Sequence, residues 1–193
     1  EPYLGSMLEK TSYDQIYDEH FYMFSANSIK SIINRFNLRL INAERIPTHG
    51  GSMRYYVQKT QSKRISHNLK KVFKYEKKIE ITNIKTIRNF IKSCIDSKKR
   101  IIKMMRNIID KKIEIFGYGA TSKSTTILHF CNINYKMIAG IFDNTPTKIG
   151  KYFPGKKIKI IDYKKFKNIK PKYCFLFAWY HYKEIFKKEK NSN

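Results

Sequence analysis

Apolar positions along this chain follow a helical rhythm in some stretches and a strand rhythm in others. Ile29, Ile32, Ile33 and Phe36 recur at helical spacing behind Ser25, which suits an N-cap, and Asn37 ends the run. Leu38–Ile46 then alternates like a strand, Pro47–Ser52 reads as a turn, and Met53–Val57 reads as the returning strand. Upstream, Asp14–Tyr17 is a short strand candidate leading into the polar and aromatic stretch 18–24. Residues 59–85 are mixed and Lys-rich, which predicts a connector with irregular structure. From Thr86 to Lys112 the residues Ile87, Phe90, Ile91, Cys94, Ile95, Ile101, Ile102, Met105, Ile108 and Ile109 mark one side of a basic amphipathic helix, packed on its own domain with Lys outside.

The last third changes character. Ile113–Phe116 predicts a strand running into Gly117-Tyr118-Gly119-Ala120-Thr121-Ser122-Lys123, then a helix through Ile127, Leu128 and Phe130. Met137–Phe142 is a second strand ending on Asp143, and Lys159–Ile161 and Tyr173–Phe177 are two more. Strands alternating with helices imply a parallel sheet of Rossmann type, so the chain is of the α/β class.

Composition narrows the function classes. No run of eighteen apolar residues is present, and Glu1–Gly5 does not read as a signal peptide. Cys94, Cys131 and Cys174 are far apart and odd in number, which suits a reducing cytoplasm and no metal site. The formal charge of +25 invites a nucleic-acid reading. Residues 1–54 nevertheless hold six basic and six acidic side chains, and of the 40 basic residues only eight are Arg. Readers of bases and phosphates lean on the Arg fork, whereas scattered Lys is a solvated point charge. The excess therefore reads as Lys spread over exposed faces, with a phosphate-bearing ligand as the next reading and dedicated nucleic-acid binding after it.

Three stretches could carry chemistry. Gly117-x-Gly119 after a strand, with Asp143 closing the next, resembles a dinucleotide fingerprint whose third glycine is replaced by Ser122. It reads equally as a phosphate loop ahead of Lys123 and Ser124, or as a tight strand-to-helix turn with no ligand. The first two readings share free backbone N–H groups at a helix amino terminus. In Tyr17-Asp18-Glu19-His20 a carboxylate stands beside an imidazole, the side chain best suited to taking a proton near neutral pH. In His49-Gly50-Gly51-Ser52 the glycines allow a ligand close to the backbone, on the edge expected for His20.

The ordered set resembles a known family. Tyr17-x-Glu19-His20 with Phe24-Ser25, His49-Gly50-Gly51-Ser52-x-Arg54, Gly117-Tyr118-Gly119-Ala120-Thr121-x-Lys123, Asp143-Asn144-x-Pro146-x-Lys148-x-Gly150, Pro154-Gly155 and Ala178-Trp179 are similar to sugar C-methyltransferases, over nearly the whole chain. The resemblance implies a zinc module, an S-adenosylmethionine methyltransferase domain and a Rossmann-like domain in an intact relative. It assigns residues 1–58 to the end of the methyltransferase domain, with Asp14–Tyr17 as its fifth strand. Residues 59–112 become a connector and helix, and 113–193 the Rossmann-like domain. It implies His20 as the base that removes the proton beside the ketone of a nucleotide-linked deoxysugar, with Tyr17 and Glu19 positioning the sugar. It further implies substrate contacts at His49, Gly50, Gly51, Ser52, Arg54, Gly117, Gly119, Ser122 and Lys123, the last four toward the nucleotide diphosphate. The donor-binding strands are expected in a missing amino-terminal half, so no S-adenosylmethionine binding is expected of this chain alone. A non-catalytic nucleotide-sugar or phosphate-binding remnant and a basic nucleic-acid-binding protein stay open as rival classes.

Overall fold

The computed structural model describes residues 1–59, 62 and 64–190. Positions 60, 61 and 63 of the expected connector, and the last three of the carboxyl-terminal domain, lie outside the described residues. The chain divides into two compact units, Glu1–Cys94 and Ile95–Asn193.

In the first unit, a short helix α1 (Leu4–Lys10) precedes a 3-10 turn at Tyr13–Gln15. Helix α2 (Ala26–Asn34) starts where the sequence predicts. The Ser25 hydroxyl accepts from Ser28 N–H at 3.0 Å, and the Ser28 hydroxyl accepts from Ser25 N–H at 2.9 Å. Asn37 adopts the left-handed conformation beyond the helix end, at φ 56°. Strands β1 (Arg39–Ile46) and β2 (Ser52–Gln58) pair antiparallel from Arg39↔Gln58 to Ile46↔Ser52, with an irregularity between Leu40 and Asn42. Tyr3, Ala26, Leu40, Ala43, Met53, Leu69 and Val72 form the core between this ribbon and the helices. A two-stranded ribbon is marginal alone, so this packing holds it.

Two expectations are corrected here. Asp14–Tyr17 is not a strand: Ile16 N–H bonds back to the Tyr13 carbonyl at 3.0 Å, and the Gln15 amide donates to the Ser12 hydroxyl at 2.7 Å. A strand needs a neighbour's ladder, and among the described residues this unit's sheet consists of β1 and β2 alone. The backbone at 12–16 therefore closes on itself. The Lys-rich stretch also contains a regular helix, α3 (His67–Lys78), capped by the Ser66 hydroxyl, which accepts from Leu69 N–H at 3.0 Å. Its Leu69 and Val72 are buried, and the surrounding Lys residues mask that stripe in the composition.

Helix α4 (Ile84–Ile109) runs across the division between the units. The second unit then alternates β3 (Ile115–Tyr118), α5 (Ser122–Phe130), β4 (Gly140–Asp143), β5 (Ile160–Asp162), α6 (Phe166–Ile169), β6 (Tyr173–Leu176) and α7 (Tyr182–Lys190). The four strands lie in the order β5-β4-β3-β6, every neighbouring pair parallel. Strand β4 begins at Gly140 rather than Met137, because Met137 and Ile138 bond to the Asn134 carbonyl in a turn. The chain leaves central β3 toward β4 and β5, then crosses back to β6, so its direction switches between β3 and β6. Open parallel sheets form their crevice outside the carboxyl ends of the strands at such a point. Phe116, Ile127, Leu128, Ile141, Phe142 and Phe177 are buried around the sheet.

Candidate active site

The Tyr17–His20 loop leaves the 3-10 turn, and the His20 ring is tied back to that turn. His20 Nδ1 lies 2.9 Å from the Gln15 carbonyl oxygen. A carbonyl only accepts, so Nδ1 carries the proton, and in the neutral imidazole Nε2 keeps its lone pair. The Tyr17 hydroxyl stands 3.4 Å from that Nε2, and the two rings lie 4.3 Å apart. His20 N–H donates to the Tyr17 carbonyl at 2.8 Å, which closes the loop. Asp18 and Glu19 are exposed, and His20 and Tyr17 are half-buried. The next two side chains in the chain, Phe21 and Tyr22, are 86% and 73% exposed, large rings left in solvent. The loop thus carries an imidazole nitrogen whose lone pair meets the Tyr17 hydroxyl, two exposed carboxylates and two exposed rings. Sequence reasoning missed Gln15, because a backbone acceptor leaves no mark in the sequence.

The His49–Ser52 turn is built differently. His49 sits at φ 54°, Gly50 at 91° and Gly51 at 134°. A Cβ on Gly51 would stand 2.6 Å from Ser6 Cβ, so glycine is required by the close approach of α1 as well as by its φ. Lys10 Nζ donates to the Gly50 carbonyl at 2.6 Å, and Tyr3 N–H donates to the Gly51 carbonyl at 3.3 Å. Gly50 and Gly51 are therefore covered by α1, whereas His49 and Arg54 are exposed and Ser52 is half-buried. The Ser52 hydroxyl donates to the Thr48 carbonyl at 3.2 Å, and Arg54 lies across from Glu44 in the ribbon.

In the second unit the glycine-rich turn is largely closed on itself. Gly119 N–H donates to the Phe142 carbonyl at 2.8 Å, Ala120 N–H to Asp143 at 2.7 Å, and Thr121 N–H to the Ser124 hydroxyl at 2.9 Å. The Thr121 hydroxyl takes Ser124 N–H at 3.2 Å as the cap of α5. Asp143 also accepts from Thr145 N–H at 2.8 Å, so its carboxylate clamps two backbone segments. Lys148 Nζ donates to the Ala120 carbonyl at 2.8 Å. Gly119 has φ 90°, and a Cβ there would stand 2.9 Å from that of Ala178. A Cβ on Gly117 would press on Ile141 and Phe177 at 2.7 and 2.8 Å. The expectation of free N–H groups thus fails for these four amides: a distant carbonyl and carboxylate take Gly119 and Ala120, and the local Thr121/Ser124 capping box takes the other two. Lys123 is 3% exposed, its Nζ 4.4 Å from the centre of the Tyr180 ring, and Ser122 opens α5 beside it.

Beyond this turn, at the carboxyl ends of the strands, lies a cleft of about 480 Å3 whose walls include Gly119, Thr121, Asp143, Lys148, Tyr163 and Tyr180. Helix α7 is tied to it through Glu189, which accepts from the Tyr118 hydroxyl at 2.9 Å and the Tyr163 hydroxyl at 2.8 Å. Burial, and after it the bond to Glu189, holds the Tyr118 phenol well above the usual tyrosine range. Among the described residues no group of three or more His, Cys, Asp and Glu is placed to hold a metal ion, and no helix is long and apolar enough to cross a membrane.

Comparison with known proteins bears on this geometry. Residues 47–193 match the model of the C-methyltransferase C-terminal domain. The chain is 27% identical over 190 residues to C-methyltransferase NovU of Streptomyces niveus, covering 98% of this chain and 45% of that protein. It spans somewhat under half the length of this relative.

Proposed function

The chain belongs to the C-methyltransferase C-terminal domain family, and on that premise we propose that it serves methyl transfer to a carbon of a nucleotide-linked ketodeoxysugar, with His20 as the base. The observation that carries this reading is the bond from His20 Nδ1 to the Gln15 carbonyl, which leaves Nε2 as proton acceptor. Nε2 takes the proton from the carbon beside the ketone, and the C–H electron pair passes into the enolate. Tyr17 and Glu19 hold the sugar, the phenol oxygen and the carboxylate by accepting from sugar hydroxyls, while the phenol proton points toward Nε2. The exposed rings of Phe21 and Tyr22 offer an apolar wall for the sugar face. Positioning and proton removal are the contributions of these residues.

S-adenosylmethionine, the donor in intact relatives, supplies an electrophilic methyl group. The described residues do not fit it. Among the described residues the first unit's sheet is the antiparallel ribbon alone, and the glycine turn of the second has Gly119, Ala120, Thr121 and Ser124 amides already occupied. No step through the donor is therefore assigned to this chain, and the donor pocket is assigned to an amino-terminal part of a full-length protein. Residues 1–58 form the end of that methyltransferase domain, with α3 of the stretch 59–112 packed into the same core, and 113–193 form the Rossmann-like domain. In the second unit, the cleft beyond Gly119, with Lys148 on its wall and Ser122 and Lys123 at the head of α5, is the candidate for the nucleotide diphosphate.

The test is to supply a matching amino-terminal half together with labelled S-adenosylmethionine and a nucleotide-linked ketodeoxysugar. Label in the sugar carbon supports the reading. Tight sugar binding without label transfer at any donor concentration replaces it with the non-catalytic remnant, which the lack of a donor cradle favours. Binding to any duplex with steep salt dependence, and none to the sugar, replaces it with the nucleic-acid reading.

A further inference from the structure

Glu76 is a buried carboxylate of the first unit that both of its oxygens tie into the surrounding structure. It projects from α3, is 1% exposed, and lies one turn beyond Val72 on that helix's buried stripe. Its Oε1 accepts from Ala26 N–H at 2.6 Å and from the Tyr3 hydroxyl at 3.0 Å. Its Oε2 accepts from Asn27 N–H at 3.0 Å and from the Asn27 side-chain amide at 2.6 Å. Two of these donors are the first backbone N–H groups of α2, which have no partner within the helix. A carboxylate there also meets the positive end of the helix dipole.

These bonds converge on the far end of the His20 loop. Tyr3, whose hydroxyl Glu76 holds, forms a parallel bridge with Phe24, and the Phe24 carbonyl accepts from Leu4 N–H at 2.9 Å. The Tyr55 hydroxyl reaches the same carbonyl at 3.5 Å. At the near end the loop is held by buried Ser12 and Gln15, and Gln15 carries the carbonyl that accepts from the imidazole. Residues 16–23 thus span two anchors. The near one sets the tautomer of His20, and the far one, residues 24–27, hangs on Glu76.

We propose that Glu76 is the positioning residue of the proton-abstraction loop: its carboxylate fixes Phe24–Asn27 so that the loop between them and Gln15 holds His20 Nδ1 against the Gln15 carbonyl. This rests on the reading of His20 as base for its functional meaning, and on geometry alone for its physical content. A carboxylate accepts at both oxygens, whereas an amide in its place turns an N–H toward donors and loses two of the four bonds. Buried groups left without partners are costly, so the loop shifts or loosens to find water.

The experiment uses the 193-residue chain and two readouts that need no activity. Nitrogen-15 NMR of the His20 ring reports which nitrogen carries the proton, and hydrogen–deuterium exchange reports protection along residues 16–28. In Glu76→Gln we expect His20 to lose its single Nδ1–H tautomer for a mixture, and exchange to rise about tenfold or more from residue 17 through residue 27. If exchange rises only at Ala26 and Asn27 while the His20 ring signals stay put, Glu76 is a local helix cap and the proposal is overturned. Should Glu76→Gln fail to fold, the pair Tyr3→Phe and Asn27→Ala keeps the carboxylate and removes two of its donors. The same two measurements on that pair then support or overturn the proposal by the same outcomes. Asn27→Asp with Glu76→Gln, which returns a carboxylate to the α2 terminus, should recover part of the lost protection. Failure of the His20 reading looks different: the ring signals respond to Glu76→Gln as expected, while His20→Ala leaves proton abstraction untouched.

Discussion

The loop at Tyr17–His20 and the turn at Gly119–Ser124 both precede helices, and their polar groups have opposite fates. In the glycine turn the donors are turned inward: Asp143, Ser124, Thr121 and the Phe142 carbonyl take four amides, and Ala178 leaves no room for a Cβ at Gly119. In the His20 loop one backbone carbonyl engages Nδ1, and the carboxylate of Glu19 and the rings of Phe21 and Tyr22 face solvent. The pattern that looks most like a binding motif in the sequence is mainly a device of the fold. The plainer tetrapeptide leaves Asp18 and Glu19 exposed and His20 and Tyr17 half-buried.

The largest expected effect separates the two regions by function. With a matching amino-terminal half present, His20→Ala should lower the turnover of methyl transfer by about a hundred- to ten-thousand-fold while changing sugar affinity little. Tyr17→Phe and Glu19→Gln should fall between it and the parent, with a visible rise in the Michaelis constant. Steady-state kinetics on the four proteins decides this, and equal loss in affinity and turnover for His20→Ala would make it a binding group.

Next in size is the inward side of the comparison. Asp143→Ala removes the acceptor of the Ala120 and Thr145 amides, and should destabilise the second unit by about 1–3 kcal/mol. Denaturant unfolding followed by the single tryptophan, Trp179, which lies in that unit, measures it. A shift within error would mean that the Asp143 clamp is slack and the turn freer to take a ligand.

A smaller effect appears in alkaline solution. Tyr118 in the second unit, and Tyr3 and Tyr55 in the first, are raised above the ordinary value of 10.0, chiefly by burial. The unfolded chain releases these protons first, so the stability they contribute is complete below about pH 10 and declines as pH rises beyond it. Tyr118→Phe should flatten that decline in the second unit's transition and leave the first unit's unchanged. A decline of the same steepness in the variant would remove Tyr118 from the account.

The smallest expected effect is none. Titration with NAD should give no saturable binding to the second unit, because Ser122 stands where the dinucleotide fingerprint has its third glycine and the Gly119 and Ala120 amides are engaged within the fold. Saturable binding abolished by Gly119→Val would reverse the contrast between the two turns.

Much of this contrast is legible in the sequence, and its limits have physical causes. The α/β class, the β1–β2 hairpin, the Ser25 cap and the βαβ start of the second unit follow from local spacing and capping residues, which act within a few positions. The strand expected at Asp14–Tyr17 depends on a sheet neighbour, a non-local condition, and the backbone curls into a 3-10 turn instead. Helix α3 is hidden by its Lys content, although Leu69, Val72 and Glu76 are spaced three and four apart on one face. A carboxylate on such an apolar stripe is the signal that marks Glu76. Tyr17, Glu19 and His20 stand out as residues, but the tautomer on which the proposed role of His20 rests comes from the Gln15 carbonyl, a backbone group that no sequence displays. At Gly117–Lys123 the glycines do make the tight turn that their spacing implies, while the Ala120 amide is taken by Asp143 and the Gly119 amide by the Phe142 carbonyl, both more than twenty residues away.

The most direct measurement of the central claim is exchange of the proton beside the ketone of a nucleotide-linked ketodeoxysugar in deuterated water. Exchange needs the base and does not await methyl transfer, so it isolates the step assigned to His20. It is followed by proton NMR of the sugar with the parent protein, joined to its amino-terminal half, and with His20→Ala. Enzyme-dependent exchange in the parent, slowed about a hundredfold or more in His20→Ala, is the expected result. Exchange at the parental rate in His20→Ala would contradict the account and pass the role of base to Tyr17 or Glu19.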